Sequence, residues 1–146
     1  MKITQLSVFL ENKPGRLSHP CRVLADAGIN ILTLSLADTH QFGIMRLIVR
    51  DPAKAKKVLE AQGCVVNLTE VIAIEVPDRP GGLAEVLGII EKASLNVEYM
   101  YAFTFRREDK ATIVFRFEDP DAGIRVLQAN GINVIGSVEL YDRAGK

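Results

Sequence analysis

An internal repeat constrains this chain more than any other feature. The stretch "ENKPGRL" at residues 11–17 follows the alternating run "QLSVFL", and "VPDRPGGL" at residues 76–83 follows "VIAIE". At an offset of 66, Pro14 and Gly15 fall on Pro80 and Gly81, Leu17 on Leu83, and Asn30 on Asn96. Further along the offset becomes 68, so that Asp51-Pro52 falls on Asp119-Pro120 and Gly63 on Gly131. Self-similarity of this kind marks a duplicated structural unit. The change of offset places a two-residue insertion between "DTHQFG" and "TFRREDKA". Insertions collect in loops, so a hairpin is expected there.

Periodicity fills in each copy. Leu6, Val8 and Leu10 alternate along a half-buried strand, and Leu17, Cys21 and Leu24 recur at helical spacing. "INILTLSLA" and "GIMRLIVR" read as strands, the second with Met45, Leu47 and Val49 on one face. Ile113, Phe115 and Phe117 take the same places in the second copy. "DPAKAKKVLEAQG" and "DPDAGIRVLQANG" each carry an Asp cap, a Pro in the first turn and a terminal Gly, the frame of a helix. "CVVNLTE" and "INVIGSVEL" are expected to close the two copies as strands. The spacing therefore predicts an α+β fold of two ferredoxin-like βαββαβ units, residues 1–69 and 70–146. Each would be an antiparallel sheet with its helices on one face. The strand "NVEYMYAFTF" is expected to turn Val97, Tyr99, Tyr101, Phe103 and Phe105 to one side and Met100 and Ala102 to the other. An aromatic second face suggests burial against another sheet or another copy of the chain.

Composition narrows the function. Eighteen basic residues balance eighteen acidic ones, which argues against a nucleic-acid or anionic-membrane surface. No apolar run reaches bilayer length and the N-terminus turns polar early, so a cytoplasmic protein is expected. His19 and His40 lack a third ligating partner, and Cys21 and Cys64 align with Leu87 and Ile132, ordinary core positions. No metal, cofactor or reactive thiol is expected.

The repeated corner carries the chemistry. A helix N-terminus has unpaired backbone N–H groups and the positive end of the helix dipole, and a glycine leaves those donors uncovered. Gly15 and Gly81 fit that role. Asn12 and Asn30 each offer a donor and an acceptor, which suits the carboxylate and ammonium of a free amino acid. Pro-Gly is also plain turn punctuation, and the asparagines also suit loop ends. The copies differ: Asp78 stands where Asn12 does, and Pro20 occurs early in the first helix alone, where Ser18 is expected to cap a helix beginning at His19. That leaves a longer, more open loop behind Gly15.

"ENKPGRL", the following "AGIN" and the βαββαβ order resemble the ACT domain, an amino-acid-binding regulatory module. Two copies cover nearly the whole chain, in the manner of stand-alone tandem ACT proteins. The resemblance implies an effector bound at an interface between ACT units, by the loop after the first strand, the first-helix N-terminus and the second strand. By position these are Asn12, Pro14, Gly15, Arg16, Leu17, Asn30 and Ile31 in the first unit. In the second they are Asp78, Pro80, Gly81, Gly82 and Asn96. The first unit's loop is the expected main site, with a lesser contact from "ADTHQFG".

The function expected is a non-enzymatic sensor of a free amino acid, a homodimer that regulates a partner enzyme. An assembly module whose corner is only a turn is the alternative. An acyl-phosphate hydrolase on the same frame would use Arg16 and Asn30, but the glycine-rich phosphate loop and a nucleophile–base pair are missing.

Overall fold

The computed structural model describes residues 1–38 and 40–144. Thr39, in the expected hairpin, and Gly145 and Lys146, at the end of the expected second unit, lie outside the described residues. The chain divides into two compact units, Thr4–Thr69 and Met1–Ile3 with Glu70–Ala144. The first contains β1 (Ile3–Glu11), α1 (Ser18–Asp26), β2 (Thr33–Asp38), β3 (Phe42–Ile48), α2 (Pro52–Ala61) and the beginning of β4 (Val65–Pro77). The second continues β4 and adds α3 (Gly82–Lys92), β5 (Val97–Arg107), β6 (Lys110–Phe117), α4 (Pro120–Ala129), β7 (Val134–Ile135) and α5 (Ser137–Ala144). The closing strand of one copy and the opening strand of the next are thus one continuous element, β4. Among the described residues no helix is long and apolar enough to cross a membrane.

In the first unit β3 pairs antiparallel with β1 on one side, Leu6 opposite Leu47 and Val8 opposite Met45. On its other side it pairs with β2, Leu34 opposite Leu47. Period-two alternation therefore sends Leu6, Val8, Met45 and Leu47 to one face, where they meet Leu24 of α1 and Leu59 of α2 with no exposure. The second unit repeats this with strand order β7-β4-β6-β5. Ile72, Ile74, Phe115 and Phe117 pack under Val86 and Ile90 of α3 and Leu127 of α4. The repeated helix frames form as their residues dictate. Asp51 accepts the Lys54 N–H at 3.0 Å and Asp119 the Ala122 N–H at 3.1 Å. Gly63 and Gly131 follow in left-handed conformation, at φ +82° and +74°.

Two sequence expectations are corrected here. "INVIGSVEL" does not close the second unit as a long strand: β7 holds only Val134 and Ile135, and α5 begins at Ser137. Gly136 breaks the strand, and beyond it the burial is helical, Val138 exposed and Leu140 fully buried. Glu139 and Arg143 pair one turn apart, and the Leu140 N–H bonds back to the Gly136 carbonyl. In β5, a register shift at Glu98 separates Val97 from Tyr99. Val97 stands opposite Phe117 on the core face, whereas Tyr99 and Tyr101 stand opposite Arg116 and Val114 on the other; Met100 and Ala102 join Phe115 and Ile113.

Helix α5 also places a helix on the sheet face that α3 and α4 leave open. Glu75 alternates with the core residues Ile74 and Val76, so it points to that second face, and Arg143 of α5 meets it there at 3.2 Å. Arg107 of β5 adds a contact to Glu139 at 3.9 Å.

Candidate ligand site at the first corner

Beyond Glu11 the chain leaves β1 and is tied at once to the β2–β3 hairpin. The Asn12 N–H donates to the Gln41 carbonyl at 2.9 Å and its Nδ2 to the His40 carbonyl at 3.5 Å. The Arg16 N–H turns back to the Lys13 carbonyl at 3.2 Å. Gly15 sits at φ +84°, a conformation that strains any residue with a Cβ. Its carbonyl accepts from the Ser18 hydroxyl at 3.1 Å and the His19 N–H at 3.2 Å. The N–H groups of Gly15 and Leu17 meet no acceptor among the described residues.

Ser18 is therefore not the cap that its residue type suggests. The helix starts at Ser18 itself, with Leu17 as the capping residue and no side-chain cap. The loop behind Gly15 is nonetheless longer than its counterpart, since α3 begins at Gly82, directly after Gly81.

A cavity of about 510 Å³ lies beside this loop, within the first unit, in the range of small-molecule sites. Asn12, Pro14, Gly15 and Leu17 line it, together with Leu10, Leu36, Ala37 and Gly43. Arg16 faces a neighbouring depression of about 400 Å³ with His19 and Cys64. Lys13 bonds Glu11 at 3.1 Å; that bond, the lysine charge and the charge of Arg16 hold the Glu11 carboxyl below the usual range. Burial pushes the Cys64 thiol up, away from nucleophilic use.

Asn30 and Ile31 are elsewhere. They lie in the turn before β2, where the Leu32 N–H bonds to the Ile48 carbonyl, whereas Asn12 adjoins the Phe42 end of β3. The length of β3, about 20 Å, separates them, so a single unit does not bring them together. Asn96 is displaced from Asp78 in the same way, beside Phe117 at the far end of β6.

The second corner is built differently. A Cβ on Gly82 would lie 1.9 Å from the Pro77 carbonyl oxygen, so the chain closes there on itself. Arg79 bonds both carboxylate oxygens of Glu85, at 3.1 and 3.0 Å. Asp78 pairs with Arg106 at 3.3 Å. Gly81 and Pro80 frame this turn, whose charges answer one another.

A larger depression of about 720 Å³ in the second unit borders α5, but its cations are engaged, Arg107 with Glu139 and Arg143 with Glu75 and Glu139. Sequence reasoning did not single out Leu10 or Leu36 as lining residues, whereas Ala37 and Gly43 fall at the two ends of "ADTHQFG", where a lesser contact was expected. Gly43 had a readable signal, a glycine in the core-facing series Gly43, Met45, Leu47.

Two ferredoxin-like units in tandem, one with an open strand–helix corner, define the class of this protein. The chain belongs to the ACT domain pair family, whose model matches residues 1–143. The crystal structure of protein BT0572 from Bacteroides thetaiotaomicron is similar to it throughout. Identity is 41%, the match covers 97% of this chain and 96% of that one, and the TM-score is 0.89. The regulatory subunit of aspartate kinase from Thermus thermophilus, in its ligand-free form, shares the fold at 17% identity. That match covers 86% of this chain and 91% of the subunit, with a TM-score of 0.62. The corresponding subunit from Thermus flavus is similar at 16% identity, covering 86% and 90%, with a TM-score of 0.60. No curated protein matches the chain in sequence.

Proposed function

We propose that this tandem ACT protein is a non-enzymatic sensor of a free amino acid, bound in the cavity at the first corner. The observation that carries this reading is the cavity itself, set against backbone N–H groups of Gly15 and Leu17 that have no acceptor among the described residues. A carboxylate on those donors lies within the field of Lys13 and Arg16, and the Asn12 amide oxygen accepts from the ammonium. The self-neutralised second corner supports one working site per chain.

Leu34 and Leu36 of β2 are 46% and 50% exposed, unusual for leucines on the core side of a strand. Together with the family's habit of binding effectors between units, this supports a homodimer in which a second copy covers the first corner and contributes its own Asn30 end. The shared fold with aspartate kinase regulatory subunits supports a regulated enzyme as the partner. Effector binding acts by favouring one arrangement of the assembly over another.

A thermal-shift screen of the twenty amino acids tests the reading. A ligand at a hundred times its Kd adds about 2.7 kcal/mol of stability. The absence of any shift at millimolar concentration overturns it.

A further inference from the structure

The cavity at the first corner is walled mainly by hydrocarbon. Leu10 bounds it from β1, Leu17 from the loop and Leu36 from β2. The charged residues on its lining, Glu11 and Lys13, already pair with each other. Among the described residues, the loop offers free donors at Gly15 and Leu17.

Gly43 supplies the room. It stands opposite Leu10 on β1, in the alternation that buries Met45 and Leu47 completely. Core-facing positions on a sheet are normally filled by side chains at close packing. Here the position is bare, where the second unit carries Ala111 opposite Val76. A Cβ added to Gly43 would sit 3.5 Å from the Leu36 side chain and 3.3 Å from the Ala37 carbonyl oxygen, so the missing methyl group borders the apolar wall.

Resting on the sensor reading above, we infer that the amino acid recognised here has an apolar side chain of leucine or phenylalanine size, seated over Gly43 against Leu10, Leu17 and Leu36. Its α-carboxylate takes the polar end of the cavity and its side chain the hydrocarbon end. A hydroxyl or ammonium group at the hydrocarbon end is stripped of water without gaining a partner. A branched or aromatic side chain gains the transfer of its surface out of water.

Isothermal titration of the full chain with leucine, phenylalanine, valine, serine and lysine tests the inference, alongside two variants. Leucine or phenylalanine is expected to bind at least about tenfold tighter than serine or lysine. Gly43→Ala fills the hollow and is expected to weaken phenylalanine about tenfold while valine loses less, a change of order that general destabilisation does not produce. Leu36→Glu alters a half-exposed side chain, so folding should survive while leucine weakens and lysine gains relative to it. Tightest binding of a polar amino acid, or unchanged affinities in both variants, overturns the inference and leaves the sensor reading standing. If none of the twenty amino acids binds, the sensor reading falls and this inference falls with it.

Discussion

Arg143 of α5 and Glu75 of β4 pair at 3.2 Å with only 11% of either side chain exposed. Asn133 also donates to the same carboxylate. Removing one partner of such a pair leaves the other desolvated and underbonded. Arg143→Ala is therefore expected to cost about 1–3 kcal/mol in urea unfolding. Arg143→Lys should recover part of that loss.

The same pair gives the protein an acid dependence. Burial alone would raise the Glu75 pKa, but hydrogen bonds from Asn133 and Arg143 and the charges of Arg143 and Lys110 outweigh it, and the net shift is downward. A carboxyl whose folded pKa is depressed contributes stability above its unfolded pKa and loses it as pH falls through the folded value. Stability measured by denaturant should thus drop on acidification below the ordinary glutamate pKa. In Glu75→Gln that slope should be shallower.

Gly82 and the Pro77 carbonyl oxygen leave no space for a methyl group between them. Because the obstructing atom is backbone, Gly82→Ala must shift the β4–α3 turn. A loss of at least about 2 kcal/mol in chemical denaturation is expected. Retention of full stability would show that this corner is more open than described.

Asn12 couples the first corner to the hairpin by its side chain as well as its backbone. Asn12→Ala keeps the backbone bond to Gln41 and removes the amide. Stability should change by less than about 1 kcal/mol, since one exposed hydrogen bond is lost. Calorimetry should show amino-acid affinity falling about tenfold, the equivalent of one lost polar contact.

The paired caps offer a comparison between the copies. Asp51→Ala and Asp119→Ala each remove one side-chain acceptor from a helix N-terminus. Each should lower stability by about 1 kcal/mol. Hydrogen exchange should place the first effect in α2 and the second in α4.

What could be read from the chain followed from local rules repeated twice. Alternation in Leu6, Val8 and Leu10, the Asp-Pro helix starts and the glycines after α2 and α4 depend on neighbours in sequence, and the repeat supplied an internal check on each. The misreadings occurred where local pattern is ambiguous. "GSVEL" alternates like a strand, yet Leu140 is buried as part of a helix. One extra residue at Glu98 parts Val97 from Tyr99 and Tyr101, whose face is otherwise opposite that of Met100 and Ala102 as expected, and only pairing with β6 reveals it.

The sequence by itself determined the duplicated βαββαβ units and the position of both Pro-Gly corners, because turn chemistry and hydrophobic period act over a few residues. Pro20 and Ser18 already pointed to the first corner as the more open one, but the tertiary structure alone decided what walls it. Leu36 and Gly43 come from the hairpin, far along the chain from Pro14 and Gly15, and reach the loop only through strand pairing. Likewise only close backbone packing makes Gly82 seal the other corner, since steric room is a property of atoms brought together by the fold.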